Sequence, residues 1–175
     1  VTAPPIERVL FTAEQVDARI CEVALDVSSR YPDGVKLAGV LKGSVFFLTA
    51  LSRALTVPAK IDFLAISSFG GAQAGMVRIA KDLDDPIEGE HVLLVEDIVD
   101  TGLTSRFLLR TLATRNPASL AICTLLDRAA RRLAQVPVEF RCFEVDDAFV
   151  VGCGLDHRQL YRNLPYVAVL RREGL

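Results

Sequence analysis

The sequence predicts an α/β fold, a central, mostly parallel, twisted sheet flanked by helices with a small hood beside it. Three observations point there. Val92 to Val95 is an apolar run too short for a helix, and its valines and leucines suit a strand buried on both faces of a parallel sheet. Apolar runs of this kind alternate with segments of helical period from Thr12 to Leu126, the order that βαβ units require. Downstream of Pro137 the pattern changes to short strands and turns, as a hood over the strand ends would need. At 175 residues the chain suits one domain, 1–175, with the hood built from the N-terminal segment and 137–175.

Thr12 and Gln15 form a capping box, and Val16, Ile20, Val23 and Val27 then mark one face of a helix that Tyr31-Pro32-Asp33-Gly34 stops. Val35 to Leu41 reads as a strand, Lys42-Gly43-Ser44 as a turn, and Phe47, Leu48, Leu51 and Leu55 as the inner face of the next helix. Ala59 to Ser67 is another strand. The Gly- and Ala-rich stretch Ser68 to Met76 has little to bury, and reads either as a hairpin connection to the strand Val77 to Lys81 or as a mobile lid. Lys81 to Glu90, with Pro86 and Gly89, is an exposed turn. After the central strand, Phe107, Leu108 and Leu112 give a helix its buried side until Asn116-Pro117, and Ser119 to Leu126 is a further buried strand. Phe140 to Val145, Phe149 to Val151 and Tyr166 to Leu170 are the short strands of the last part.

Chemistry concentrates where the central strand ends. Glu96, Asp97 and Asp100 crowd three carboxylates into five positions, a repulsive arrangement unless a divalent cation or the hydroxyl face of a sugar meets them. Thr101, Gly102, Leu103, Thr104 and Ser105 follow at the start of a helix, where hydroxyls and backbone amides favour an anion such as phosphate. The plainer alternative makes Thr104 or Ser105 an N-cap and the acids a solvated strand end. No Gly-Lys-Ser/Thr occurs, so this is not a Walker loop. Lys42-Gly43 reads either as a tight turn with a solvated lysine or as a close backbone approach to phosphate with a charge beside it.

Composition removes several classes. A net charge of −2 leaves no basic stripe for nucleic acid. No apolar run is long enough to span a bilayer, and Val1 to Ile6 lacks the basic and apolar regions of a signal peptide, so the expectation is a cytoplasmic protein. Cys21, Cys123, Cys142 and Cys153 lack metal-ligand spacing, and Cys123 and Cys142 read as buried free thiols. His91 and His157 are isolated. Gly152-Cys153-Gly154 lacks the third glycine and following helix of a dinucleotide fingerprint.

Val92 to Thr104, VLLVEDIVDTGLT, resembles the phosphoribosyl-pyrophosphate (PRPP) motif of the purine and pyrimidine phosphoribosyltransferases. Phe149-Val150-Val151-Gly152, Gly154-Leu155-Asp156 and Tyr161 to Tyr166 resemble the purine-binding end of the hypoxanthine-guanine phosphoribosyltransferases, and Leu41 to Ser44 stands in the place of that family's pyrophosphate loop. The resemblance implies a type I phosphoribosyltransferase fold and transfer of the 5-phosphoribosyl group from PRPP to N9 of hypoxanthine or guanine, with Mg2+ as cofactor.

Carried onto this sequence, the resemblance makes Asp100 the general base and gives Glu96 and Asp97 the ribose hydroxyls, directly or through magnesium. It assigns the 5-phosphate to Thr101 to Ser105, and pyrophosphate to Lys42, Gly43 and Arg162. Asp156, counted also among the purine-binding residues, would hold a second magnesium on pyrophosphate. Phe149 would stack on the base, the Val150 carbonyl would accept from its edge, and a cis peptide would precede Lys42. Ser68 and Phe69 stand at the base of the catalytic lid, where the family has Ser-Tyr, and the lid is about two residues shorter than in the family. Arg128 stands where the family has a lysine that donates to the purine 6-oxo group. Arginine keeps charge and donors but is bulkier, which leaves the choice among hypoxanthine, guanine and xanthine open. A PRPP- or nucleotide-sensing regulator with weak catalysis is the alternative from another class. The family also implies a homodimer or homotetramer.

Overall fold

The computed structural model describes residues 6–68 and 77–171. Phe69 and the rest of the expected lid, 69–76, lie outside the described residues, and Ser68 is the last residue of its strand. The chain runs β1 (Ile6–Phe11), α1 (Ala13–Arg30), β2 (Val35–Leu41), α2 (Ser44–Ala54), β3 (Ala59–Ser68), β4 (Val77–Lys81), β5 (His91–Val99) and α3 (Leu103–Ala113). It continues through β6 (Ser119–Asp127), a 3-10 turn at Ala129–Arg131, β7 (Val138–Glu144), β8 (Val150–Val151) and β9 (Val167–Leu170).

Six strands make the main sheet in the order β4-β3-β2-β5-β6-β7, every pair parallel except β3 with β4. The apolar strands β2 and β5 lie side by side at its centre, with the second run read as buried, β6, next to β5. Because side chains alternate along a strand, β5 supplies both layers of the core: Leu93 and Val95 pack with α1 and α2, Val92 and Leu94 with α3. The capping box of α1 forms as the sequence predicts, Thr12 with Gln15. Among the described residues no helix is long and apolar enough to cross a membrane.

One expectation is corrected. Val138–Glu144, read as part of the hood, is the edge strand of the main sheet, parallel to β6. Phe140 and Cys142 face the core while Glu139 and Arg141 face water, so the strand shows the alternation of a half-exposed strand rather than the continuous run of β5 and β6. The separate small sheet is β1-β9-β8, antiparallel throughout. Cys123, Cys142 and Cys153 are buried free thiols, and burial pushes Cys142 up to about 12.

The sequence gives no warning of Lys36, which lies in the apolar run of β2 and is 2% exposed. Its ammonium sits 3.4 Å from Asp62 of β3, itself 4% exposed. Asp62 also accepts from the amides of Phe63, Asp84 and Asp85, and so ties the turn after β4 to the sheet.

Candidate active site

The site lies beyond the carboxyl ends of β2 and β5, where a parallel sheet offers a crevice. A cavity of about 330 Å³ there is lined by Lys42, Gly43, Glu96, Asp97, Asp100, Thr101, Gly102, Thr104, Ser105, Asp156 and Arg162. A second cavity of about 220 Å³ adjoins it, lined by Arg128, Phe149, Val150 and Leu155 and sharing Asp97, Ile98, Asp100 and Asp156 with the first. Residues that the sequence places more than a hundred positions apart thus meet in two joined compartments, one rich in charge and one with an aromatic wall.

The turn after β5 is shaped by Gly102. It has φ 77, and a Cβ there would lie 2.4 Å from the Ala134 carbonyl oxygen, so glycine is required on both counts. Gly102 is also the N-cap of α3 and makes no side-chain cap bond. The plainer alternative, a Thr104 or Ser105 cap, does not occur. Apart from the Leu103 amide, which reaches the Thr101 hydroxyl at 3.5 Å, the first-turn amides of α3 keep the helix's positive end open toward the cavity. Thr101 anchors the turn, its carbonyl accepting from the amides of Leu133 and Ala134. The Leu103 side chain is 45% exposed and is not part of the cavity wall. Ser105 is buried, and its hydroxyl donates to Glu96 Oε1 at 2.7 Å. That hydroxyl orients a carboxylate rather than facing an anion.

Glu96 is 6% exposed; burial pushes its carboxyl up to about 7, with the Ser105 hydroxyl opposing the shift. Burial also raises Asp97, against the amide of Ile98 that bonds its Oδ1. Among the described residues no Lys or Arg lies within ion-pair distance of either group. A buried pair of carboxylates with no direct ion pair, Asp97 feeling the Arg162 charge only at a distance, fits a divalent cation, all-oxygen donors being what magnesium prefers. No three His, Cys, Asp or Glu side chains converge among the described residues. Magnesium here would take one or two carboxylates and complete its shell from water and phosphate oxygens, its usual manner.

Opposite these acids, the Leu41–Lys42 peptide is cis, as the resemblance implies. Gly43 permits close packing: a Cβ there would fall 1.6 Å from Asp97 Oδ2, and one on Gly154 would fall 1.9 Å from the Gly43 carbonyl. Arg162 donates to the Gly154 carbonyl at 2.6 Å and pairs with Asp156 Oδ1 at 2.7 Å. Asp156 Oδ2 accepts from the Gln159 amide at 2.7 Å. Each of those oxygens keeps a second acceptor position.

In the second compartment Arg128 is 7% exposed. Its Nη2 donates to the Ala148 carbonyl at 2.5 Å and its Nη1 sits 3.4 Å from Asp100 Oδ2. Arg131 approaches the same Asp100 oxygen at 3.7 Å. Asp100 Oδ1 and Arg128 Nε, an acceptor and a donor, are both buried without a partner. Phe149 is 42% exposed, with the His157 ring edge-on to it at 5.5 Å. The sequence reading includes neither Arg131 nor Gln159 at the site, nor His157 against the aromatic wall. The one signal for Gln159 is its place between Gly152 and Arg162, inside the segment of family resemblance.

A family model for the phosphoribosyl transferase domain matches residues 18–158. The chain is 45% identical to a hypoxanthine-guanine phosphoribosyltransferase of Mycobacterium avium, covering 94% of this chain and 86% of the relative. It is 42% identical to one of Bacillus subtilis, covering 95% and 94%. Among solved structures, a hypoxanthine phosphoribosyltransferase of Staphylococcus aureus superposes with a TM-score of 0.92 at 38% identity, covering 97% of this chain and 94% of that one. One of Trypanosoma cruzi gives 0.93 at 38%, covering 99% and 95%. With this sequence agreement over nearly its whole length and a matching fold, the chain belongs to the hypoxanthine-guanine phosphoribosyltransferases of the phosphoribosyl transferase family.

Proposed function

We propose that this protein transfers the 5-phosphoribosyl group of PRPP to N9 of hypoxanthine or guanine, releasing pyrophosphate. The observation that carries this reading is the pair of joined compartments: an uncapped helix start and buried acids in one, an aromatic wall with an Asp–Arg pair in the other, Asp100 standing between them. The amides and hydroxyls of 101–104 hold the 5-phosphate, and Glu96 and Asp97 hold the ribose hydroxyl side. Lys42, the Gly43 backbone and Arg162 bind pyrophosphate. Magnesium held by Glu96 and Asp97, and a second ion at Asp156, would supply positive charge to the departing pyrophosphate. Phe149 stacks on the purine, and the small sheet that carries Val150 covers it as the hood.

Asp100 Oδ1 takes the N7 proton as N9 bonds to the ribose carbon, and Arg128 donates to the 6-oxo group. These two side chains present an acceptor beside a donor, the complement of an N7–H next to a 6-oxo group. Adenine offers an amino group in that place and would set donor against donor. Phe46, 44% exposed on α2, and an apolar cavity of about 220 Å³ between α1 and α2 support a homodimer or homotetramer. Three buried free thiols fit a reducing, cytoplasmic setting.

The test is an initial-rate assay with PRPP, magnesium and a panel of bases. Turnover of hypoxanthine or guanine with none of adenine is expected. PRPP binding without turnover of any base would support a sensor instead, and turnover confined to xanthine would revise the base assignment.

A further inference from the structure

We propose that Gln159 is a positioning residue for pyrophosphate. Its carboxamide oxygen stands between Lys42 and Arg162 in the free protein, where a phosphate oxygen belongs, and yields that place when PRPP binds. The inference rests on the phosphoribosyl-transfer reading and adds to it a residue that touches neither the ribose nor the base.

Three observations carry it. Gln159 Oε1 accepts from Lys42 Nζ at 3.4 Å and from Arg162 Nη2 at 3.5 Å, so one neutral oxygen serves two cations from opposite ends of the chain. Both contacts are at the long limit for a hydrogen bond, which makes them easy to exchange for the shorter, charge-assisted bonds of a phosphate oxygen. The Gln159 amide donates to Asp156 Oδ2 at 2.7 Å, and Asp156 holds Arg162, so the same residue fixes the carboxylate behind the arginine.

The backbone supplies an independent argument. Gln159 has φ 67, in a turn where Arg158 (φ 52) and Tyr161 (φ 75) are also left-handed, a conformation that glycine adopts freely and glutamine does not. The residue is exposed, so core packing does not account for a long side chain at a strained position. A carboxamide long enough to reach both cations does. A neutral acceptor also suits a placeholder: it lines up two like charges without forming an ion pair that pyrophosphate would have to break.

The experiment measures PRPP and hypoxanthine kinetics, with product inhibition by inorganic pyrophosphate, on the full chain and on Gln159→Gly and Gln159→Glu. Gln159→Gly removes the placeholder and relieves the backbone; KM for PRPP should rise about three-fold as Lys42 loses its preset position. Gln159→Glu keeps the size but adds a charge that competes with pyrophosphate; KM for PRPP should rise about five-fold or more. In both variants the inhibition constant for pyrophosphate should weaken in parallel, with KM for hypoxanthine unmoved. A PRPP KM unchanged or lowered in Gln159→Glu, or a change falling on hypoxanthine instead, overturns the proposal. A wild-type chain that turns over no base defeats the activity reading alone. Calorimetry of inorganic pyrophosphate with magnesium then tests Gln159 directly, since binding weakened in both variants supports the role and equal binding overturns it.

Discussion

Replacing Gly43 with alanine would place a methyl carbon 1.6 Å from Asp97 Oδ2. To restore ordinary contact at 3.4 Å the carboxylate must retreat by about 1.8 Å, and it has little room to do so. Asp97 is a short side chain whose other oxygen is held by the Ile98 amide at 3.0 Å. The Gly43 backbone cannot retreat either, because its carbonyl is packed against Gly154. The substitution is therefore expected to swing Asp97 off the ribose side of the cavity. A misplacement on the order of 1 Å costs about a hundred-fold in rate, so kcat/KM for PRPP should fall by at least that factor. Overpacking should cost about 1 to 3 kcal/mol of stability, visible as a lower melting temperature but a folded protein. Gly89→Ala is the control. A Cβ there meets nothing within 4 Å, so the strain of its φ of 71 should lower stability slightly without touching PRPP kinetics. If Gly43→Ala keeps kcat/KM within two-fold of wild type while remaining folded, Asp97 plays no part in binding PRPP.

Asp100→Asn should lower turnover by about two to four orders of magnitude, the scale of general-base loss, with PRPP binding retained in a titration; unchanged turnover removes Asp100 from the mechanism. In Arg128→Lys, a slimmer ammonium, able to turn to the 6-oxo group, replaces a fork whose ends are held at Ala148 and Asp100, so kcat/KM for 6-oxopurines should rise about ten-fold. No change with any base would put the side chain outside the pocket. Asp62→Asn takes the buried carboxylate from Lys36, leaving it only the Asp85 carbonyl at 3.4 Å and the exposed Asp85 carboxylate at 3.8 Å, and should cost about 3 to 5 kcal/mol in denaturant unfolding. Burial raises the Asp62 carboxyl, but the amides of Asp84, Phe63 and Asp85 with Lys36 outweigh it, so the net shift is downward. A carboxylate lowered in the folded state stabilises above its unfolded pKa, and that stability is lost as pH falls through the folded value. The gap between wild type and Asp62→Asn should accordingly be full near neutrality and close only below the ordinary carboxylate range; a gap that widens on acidification contradicts the assignment.

The parts of the site that are continuous in sequence were legible there. Strand, acids and turn follow one another from Val92 to Ser105, and a buried parallel strand announces itself as an unbroken apolar run. The capping box of α1 was legible for the same reason, since both partners lie within one turn. What spacing hides is pairing across the fold. Nothing near Lys42 points to Gln159, 117 positions away, and nothing in β2 shows that Lys36 is neutralised from the neighbouring strand. Strand β7 was misplaced because an edge strand of a parallel sheet, wet on one side, has the same alternation as a strand of a small antiparallel sheet. Ser105 was assigned to the anion from its position at the helix start, whereas its rotamer turns the hydroxyl inward to Glu96.

The segment after β6 supports two compartments at once. Leu133 and Ala134 brace the carbonyl of Thr101, while Arg128, a few residues earlier, reaches the base-side aspartate. On the proposed reading, retuning which purine is accepted would disturb the seat of the sugar phosphate as well. Directed evolution of base preference in this scaffold should recover paired changes in 128–134 and 100–102, with isolated replacements at Arg128 surviving only where they leave the bracing backbone in place.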